Sequence, residues 1–461
     1  MNIKEAQEIH TEAIKRKDHR KIIELLEFYN AHLNVDPDNI AYLFLVATCH
    51  LQLGNNGIAI NLLNKVVDKQ PELPEAWNNL GSAWKSEHNN EKAIAAFTEA
   101  VKLKQDPDFY NNLATLYINE GDPAPGVGYA QQAIDLDFNH GQAHWNLGLL
   151  LLEMGKFKDG FLEYDFGLVC GERPISKYDP QIPMWEGQKN KRVVIYGEQG
   201  IGDEILFASC IPDLLKDCKE VVIDGHPRMV EIYKQSFPNL RVYGNRKKII
   251  KQHWDEKLDY MLPMGSLLRK YRSDGHFPKT PYLKADPAMV DKYRKILAEL
   301  GPGPYIGISW RGGAKKTRID LRSTKVRDWL PVVENDATFV SLQYTDDAHG
   351  KLERWNKDNP TIHYLEAPQE KNYMETAALV EALDLVISVN TAVVHLCGAL
   401  GKECWTLTPR KKAWRYFDDG SGKMFAYDTV TMFQNKEDNW TNIMEKIAVD
   451  LKKFIGKRAA A

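Results

Sequence analysis

The chain has 461 residues, long enough for more than one hydrophobic core, since single cores stop growing near roughly 250–300 residues. Sixty Lys and Arg against 63 Asp and Glu leave a net charge of −3, which excludes a broad nucleic-acid-binding surface and obliges any anionic ligand to meet local basic clusters. No apolar run approaches the ~20 residues of a membrane span, and the charged N-terminal stretch predicts no secretory leader.

The first third is a repeat. Trp77-x2-Leu80-Gly81-x2-Trp84 leads to Ala93, Phe97 and Ala100. Tyr110-x2-Leu113-Ala114-x2-Tyr117 and His144-x2-Leu147-Gly148-x2-Leu151 follow at the same period, and Ala59, Leu63, Val66 and Pro71 fit the second half of an earlier unit. This spacing resembles the tetratricopeptide repeat, in which each unit is a helix pair that buries its apolar face only by stacking on the next. It predicts helix pairs over residues 1–172 with Trp77, Trp84, Phe97 and Tyr110 inside the stack, and a surface for a peptide partner. Asp-x-Asp pairs at 36/38, 106/108 and 135/137 fall between these helices and read as caps and turns rather than as metal ligands.

A connector spans 173–190, and then the pattern alternates. Buried strands are predicted at 192–197, 220–225, 240–244 and 258–263. A stretch rich in proline and charge follows at 276–287, and a second series occupies 305–310, 338–343, 361–366, 384–389 and 403–408. Strands alternating with helices imply parallel sheets with right-handed crossovers. The division is 191–283 for a first Rossmann-like domain and 284–461 for a second, facing it across a cleft. Ligands belong at the carboxyl ends of such strands.

Those ends carry the polar residues. The first strand empties into Gly197-Glu-Gln-Gly200-Ile-Gly202-Asp203 and a helix start. In the second series one strand ends in Trp310-Arg311-Gly312-Gly313 followed by Lys315 and Lys316, another in Asn390-Thr391-Ala392 ahead of His395, and a third in Arg410-Lys411-Lys412 with Trp414-Arg415 beyond. A basic glycine-containing loop, a helix N-terminus with a hydroxyl and a second basic loop can together hold a pyrophosphate. Blander assignments stand beside this one: Asn390 as an N-cap, His395 as a core histidine, the lysines as a solvated loop, and Asp203 as a first-turn acid complementing the helix dipole.

The segments VISVNTAVVHLCGALGKECWTLTP, GISWRGG, LRS, FVSLQ and GEQGIGDEILF resemble those of bacterial tetratricopeptide-repeat glycosyltransferases related to glycosyltransferase family 9, the heptosyltransferase family. The likeness runs through nearly the whole chain, including the order of repeat array, Trp185-Glu186-Gly187 connector and paired domains. It implies a helical repeat array followed by a GT-B α/β architecture, and inverting, metal-independent transfer of a sugar from a nucleotide-sugar to an acceptor hydroxyl, with no cofactor. It gives Asp203 the role of general base. The family's donor signature Asp-Thr-Ala-x-x-His falls on Asn390, Thr391, Ala392 and His395, with Asn390 replacing the acid. Gly202, Trp310, Arg311, Lys315, Lys316 and Gln343 complete the implied donor site. The acceptor is left open among glycan, protein and other hydroxyl-bearing polymers. A scaffold that has lost activity, and a sugar-nucleotide epimerase or hydrolase, are the alternatives. Six cysteines without a CxxC pair read as reduced thiols in a cytoplasmic protein.

Overall fold

In the first third, helix starts follow the capping residues. Asp18, Asn39, Asn89 and Asp106 each accept a backbone N–H of the following turn, at 3.0–3.2 Å, and Pro74 and Pro107 open their helices where the missing N–H costs nothing. The resulting helices are α1 (Ile3–Arg16), α2 (His19–Val35), α3 (Ile40–Gln52), α4 (Asn56–Lys69), α5 (Pro74–Ser86), α6 (Asn90–Leu103), α7 (Pro107–Thr115), α8 (Ala124–Leu136) and α9 (Gly141–Glu153). The structure is a computed structural model that describes residues 3–118, 120–175, 182–244, 258–312, 319, 321–343, 347–365, 372–437 and 439–459. Of the Asp-x-Asp acids, Asp106 is the N-cap of α7, while Asp36 and Asp137 end α2 and α8.

Small residues at the repeat positions let helices close on one another. A Cβ on Gly81 would lie 2.6 Å from the ring of Phe97, which has no exposure. Phe97 and Tyr110 are buried as expected, but Trp77 and Trp84 are not. They line an open groove of ≈ 460 Å³ with Leu80 and Lys92, whose Nζ stands 4.2 Å over the Trp84 ring. An indole N–H needs a partner, and that of Trp77 reaches the Pro71 carbonyl at 2.8 Å outside the helix, which keeps the ring at the edge.

The chain divides into two compact units, Met1–Leu150 and Leu151–Ala461, so the break falls within α9 rather than at residue 172. Helices α10 (Phe157–Tyr164) and α11 (Gly167–Cys170) belong to the second unit because the aromatic face of α10 packs there. Phe157 stacks on Phe425 at 5.1 Å, and Phe161 and Tyr164 meet the Trp414 ring edge-on at 5.7 and 6.1 Å.

Two sheets follow. Strands β1 (Arg192–Tyr196), β2 (Glu220–Asp224), β3 (Arg241–Tyr243) and β4 (Tyr260–Pro263) form the first, all parallel, in the order β3-β2-β1-β4. Helices α12 (Ile201–Ala208), α13 (Ile211–Asp217), α14 (Val230–Ser236) and α15 (Leu267–Tyr271) alternate with them. The connector pairs with this sheet's edge, since Met261 N–H donates to the Pro183 carbonyl and Trp185 N–H to that of Met261. The second sheet holds β5 (Tyr305–Ser309), β6 (Thr338–Ser341), β7 (Ile362–Tyr364), β8 (Leu385–Val389), β9 (Cys404–Pro409), β10 (Lys423–Met424) and β11 (Tyr427–Asn435), in the order β10-β11-β9-β8-β5-β6-β7. Only the β10–β11 pair is antiparallel. Helices α16 (Pro287–Leu300), α17 (Leu330–Val333), α18 (Ala348–Trp355), α19 (Tyr373–Ala382), α20 (Ala392–Leu400) and α21 (Trp440–Ala459) accompany it. The sequence reading stopped at β9; β11 extends the sheet beyond it, with Phe433 against Trp405 at 5.4 Å.

In both sheets the order of the parallel strands reverses once, between β1 and β4 and between β5 and β8, and such switch points open crevices at the carboxyl ends. In the first sheet that position holds a buried ion network. Arg173, with no exposure, donates from Nε and Nη2 to the two oxygens of Glu198 at 2.7 and 2.6 Å, from Nη1 to Asp165 at 2.7 Å, and from Nη2 to Ser266 at 3.0 Å. Gly265 N–H donates to the same Glu198 carboxylate at 2.9 Å. Burial works against the Arg173 charge, but Glu198 outweighs it and raises the proton affinity of the guanidinium above its ordinary value.

Gly81→Ala is expected to destabilise the array by about 1–3 kcal/mol, whereas Gly128→Ala, with open space at its Cβ, should be neutral or slightly stabilising, by equilibrium unfolding in urea. Arg173→Met should cost about 3–5 kcal/mol by leaving Glu198 buried and unpaired, and adding Glu198→Gln should recover part of that loss.

Candidate functional site

The glycine turn after β1 delivers Asp203 to the first turn of α12. Its Oδ2 accepts the Gly200 N–H at 3.1 Å, closing the helix start, and its Oδ1 accepts from Arg415 Nε in an ion pair. Gly202 faces α20: a Cβ there would lie 3.3 Å from the Ala392 Cα and 3.1 Å from His395 Cδ2. The starts of α12 and α20 therefore meet closely only because Gly202 carries no side chain, with Ala392 and the His395 ring facing it from α20. Arg415 stands on a single 3-10 turn, Trp414–Tyr416, just beyond the basic end of β9.

The end of β5 is shaped by Gln343. Its Oε1 accepts the backbone N–H of Trp310 and Arg311 at 3.2 and 2.9 Å, and its Nε2 donates to the Arg311 carbonyl at 3.2 Å. Gln343 is buried, so it holds this loop rather than standing open to solvent. Trp310 is likewise buried within the core of the second sheet. The Arg311 side chain is 40% exposed, and its Nη1 lies 3.6 Å from Asp347 at the rim of the strand ends. Lys315 and Lys316 lie outside the described residues. Arg322 ties this loop to β8, donating from Nη1 to the Asn390 carbonyl at 3.0 Å.

Asn390 does not cap α20. Its Oδ1 accepts from the hydroxyls of Thr406 and Thr408 on β9 at 2.9 and 3.3 Å. The amide serves both hydroxyls without bringing a negative charge to a position only 3% exposed. Thr391 is the N-cap, with no side-chain bond to the helix. Ser388 Oγ donates to the Val389 carbonyl, so the Thr391 hydroxyl 3.2 Å away donates to Ser388.

His395 is buried and neutral. Tyr282 gives its only hydroxyl proton to the Ile205 carbonyl at 2.9 Å, so Tyr427 donates to Tyr282 at 3.1 Å and in turn accepts from His395 Nδ1 at 3.5 Å. This assigns the ring proton to Nδ1 and the lone pair to Nε2. Burial lowers its pKa to about 3.

Two buried acids of the first sheet escaped the sequence reading. Glu198 binds Arg173, and Glu204 accepts the His226 N–H at 2.9 and 3.1 Å and the Tyr233 hydroxyl at 3.1 Å. The segment GEQGIGDE has three acids; Asp203 and Glu204 both stand in the first turn of α12, but Glu204 is taken up by His226 and Tyr233 while Asp203 meets Arg415, and spacing alone does not separate them. Among the described residues no group of three or more His, Cys, Asp or Glu is gathered to hold a metal ion, and no helix is long and apolar enough to cross a membrane.

Comparison with known proteins bears first on the repeats. Residues 47–108 and 107–140 match the tetratricopeptide-repeat family. Protein FlbA of Caulobacter vibrioides is 26% identical over 94% of this chain and 76% of its own length. The photosystem I assembly protein Ycf3 of Acaryochloris marina is 30% identical over 23% of this chain and 67% of its own. Among solved structures, MamA is 22% identical, covering 37% of this chain and 96% of its own, with a TM-score of 0.32.

Because the folded pKa of His395 lies below the ordinary histidine value of about 6.5, the unfolded chain takes up this proton first as the pH falls. The stability associated with the neutral ring is present above about pH 6.5 and is lost progressively toward pH 3. Between pH 7 and pH 5 the wild type should lose about 2 kcal/mol more than His395→Gln, read by urea unfolding at the two pH values. Equal losses would contradict a buried neutral histidine.

Proposed function

We propose that this chain, which carries tetratricopeptide repeats across residues 47–140, is a cytoplasmic, inverting, metal-independent glycosyltransferase of the GT-B type that uses a nucleotide-sugar. The observation that supports it most is the meeting of the α12 start, which bears Asp203, with the α20 start at the end of β8. Helix N-termini favour anions, and Arg311 and the basic end of β9 add positive charge beside the same strand ends.

In this reading the acceptor O–H gives its proton to Asp203 as the oxygen attacks the anomeric carbon from the face opposite the phosphate. The bond from that carbon to phosphate breaks, and the nucleoside diphosphate leaves with the electron pair. Developing negative charge on the diphosphate is met by the helix start and the cations. His395 is too buried and too weakly basic to serve as the proton acceptor. The open groove at Trp77 and Trp84 offers the repeat array a place for a peptide partner.

A second reading, a scaffold without turnover, draws on one observation: Asn390 and Asp203 already have partners inside the protein. Nucleotide-sugars screened by thermal shift separate the two. A donor at 100 times its Kd adds about 2.7 kcal/mol of stability. With that donor, Asp203→Asn should lower transfer or donor hydrolysis by about 10²–10⁴ while binding persists. Failure of every nucleotide-sugar to bind, or wild-type turnover in the variant, would reject the proposal.

A further inference from the structure

The second unit contains three largely buried arginines with carboxylate partners: Arg272 donates to the carbonyls of Tyr271 and Ser209 and to Asp213, and the other two, Arg173 and Arg415, differ in one respect. Arg173 uses Nε, Nη1 and Nη2, all directed to protein acceptors. Arg415 uses only Nε, toward Asp203; among the described residues its two terminal nitrogens make no hydrogen bond, and its side chain is 20% exposed. A guanidinium carries five N–H donors in a fork that matches phosphate oxygens. Through Asp203 the fork stands at the start of α12, and its guanidinium lies 4.9 Å over the ring of Trp414.

We infer that Arg415 is exchanged between two anions: the Asp203 carboxylate in the free protein and the diphosphate of a bound nucleotide ligand. Ligand binding then releases the proposed base. The inference rests on the nucleotide-sugar reading and adds to it a positioning residue and an order of events. Trp414 and Tyr416 on either side are buried, with Trp414 packed against Phe161 and Tyr164, so the backbone is anchored while the long side chain pivots. Asp203 keeps its orientation throughout, because Oδ2 remains on the Gly200 N–H while Oδ1 becomes free to take a proton. A carboxylate beside a guanidinium is a poor base, and removing the guanidinium restores its basicity. Before the donor arrives the base is therefore occupied.

Calorimetry with UDP, GDP, CDP, ADP and dTDP tests this, using whichever binds the wild type most tightly. Asp203→Asn should tighten binding about three- to tenfold by freeing Arg415, and Arg415→Ala should weaken it about tenfold or more. In the Arg415→Ala background, Asp203→Asn should have no further effect; Arg415→Gln replaces Arg415→Ala if the latter does not fold. Arg415→Lys, which keeps the charge without the fork, should recover only part of the affinity. Unchanged or weaker binding by Asp203→Asn would overturn the exchange. Equal tightening with and without Arg415 would also overturn it, by showing simple charge repulsion. Absence of binding by all five nucleotides to the wild type would instead remove the nucleotide-sugar reading, and this inference with it.

Discussion

The second unit is organised around the Arg173 guanidinium, a full charge with no exposure that joins three stretches of chain distant in sequence. It bonds Asp165 beyond α10, Glu198 beyond β1 and Ser266 beyond β4. Burying an ion pair costs several kcal/mol per charge, offset only where every donor finds an acceptor in good geometry. Here the three guanidinium nitrogens do so, and Gly265 N–H completes the Glu198 carboxylate. The consequence for the site is positional: the turn that carries Asp203 begins at Gly197-Glu198 and is fixed at its base.

The two sheets treat their switch points differently. In the first, the crevice between β1 and β4 is filled by the protein's own cation. In the second, the loop after β5 is held by Gln343 and tied to the end of β8 by Arg322, which leaves the start of α20 facing α12. A ligand at the second switch point would thus meet backbone and helix termini more than side chains. That accounts for the small residues Gly202 and Ala392 at the closest approach.

Much of this was legible in the sequence because the signals were local. Runs such as RVVIY and LVISV read as buried parallel strands, and their ends gave Asp203, Arg311 and Asn390 without any knowledge of pairing. What escaped depended on partners far along the chain. Asn390 looked like a cap, yet its acceptor serves Thr406 and Thr408 on the neighbouring strand. Arg415 was one cation among several until the fold brought it 212 residues back to Asp203. Trp77 and Trp84 carry the repeat signature, but they line an open groove between α5 and α6, which the repeat spacing does not reveal. The break at Leu150 was hidden because α10 has helical spacing like its predecessors, while its aromatic face belongs to the later sheets' loops.

The central claim is that a nucleoside diphosphate binds where α12 and α20 begin. Backbone hydrogen exchange across the whole chain, with and without a saturating nucleoside diphosphate, addresses it most directly. The account predicts slowed exchange at residues 201–204 and 391–396 and around Arg415, with the helices of residues 3–136 unchanged. Protection confined to the repeat array, or spread elsewhere while those helix starts exchange as before, would contradict it.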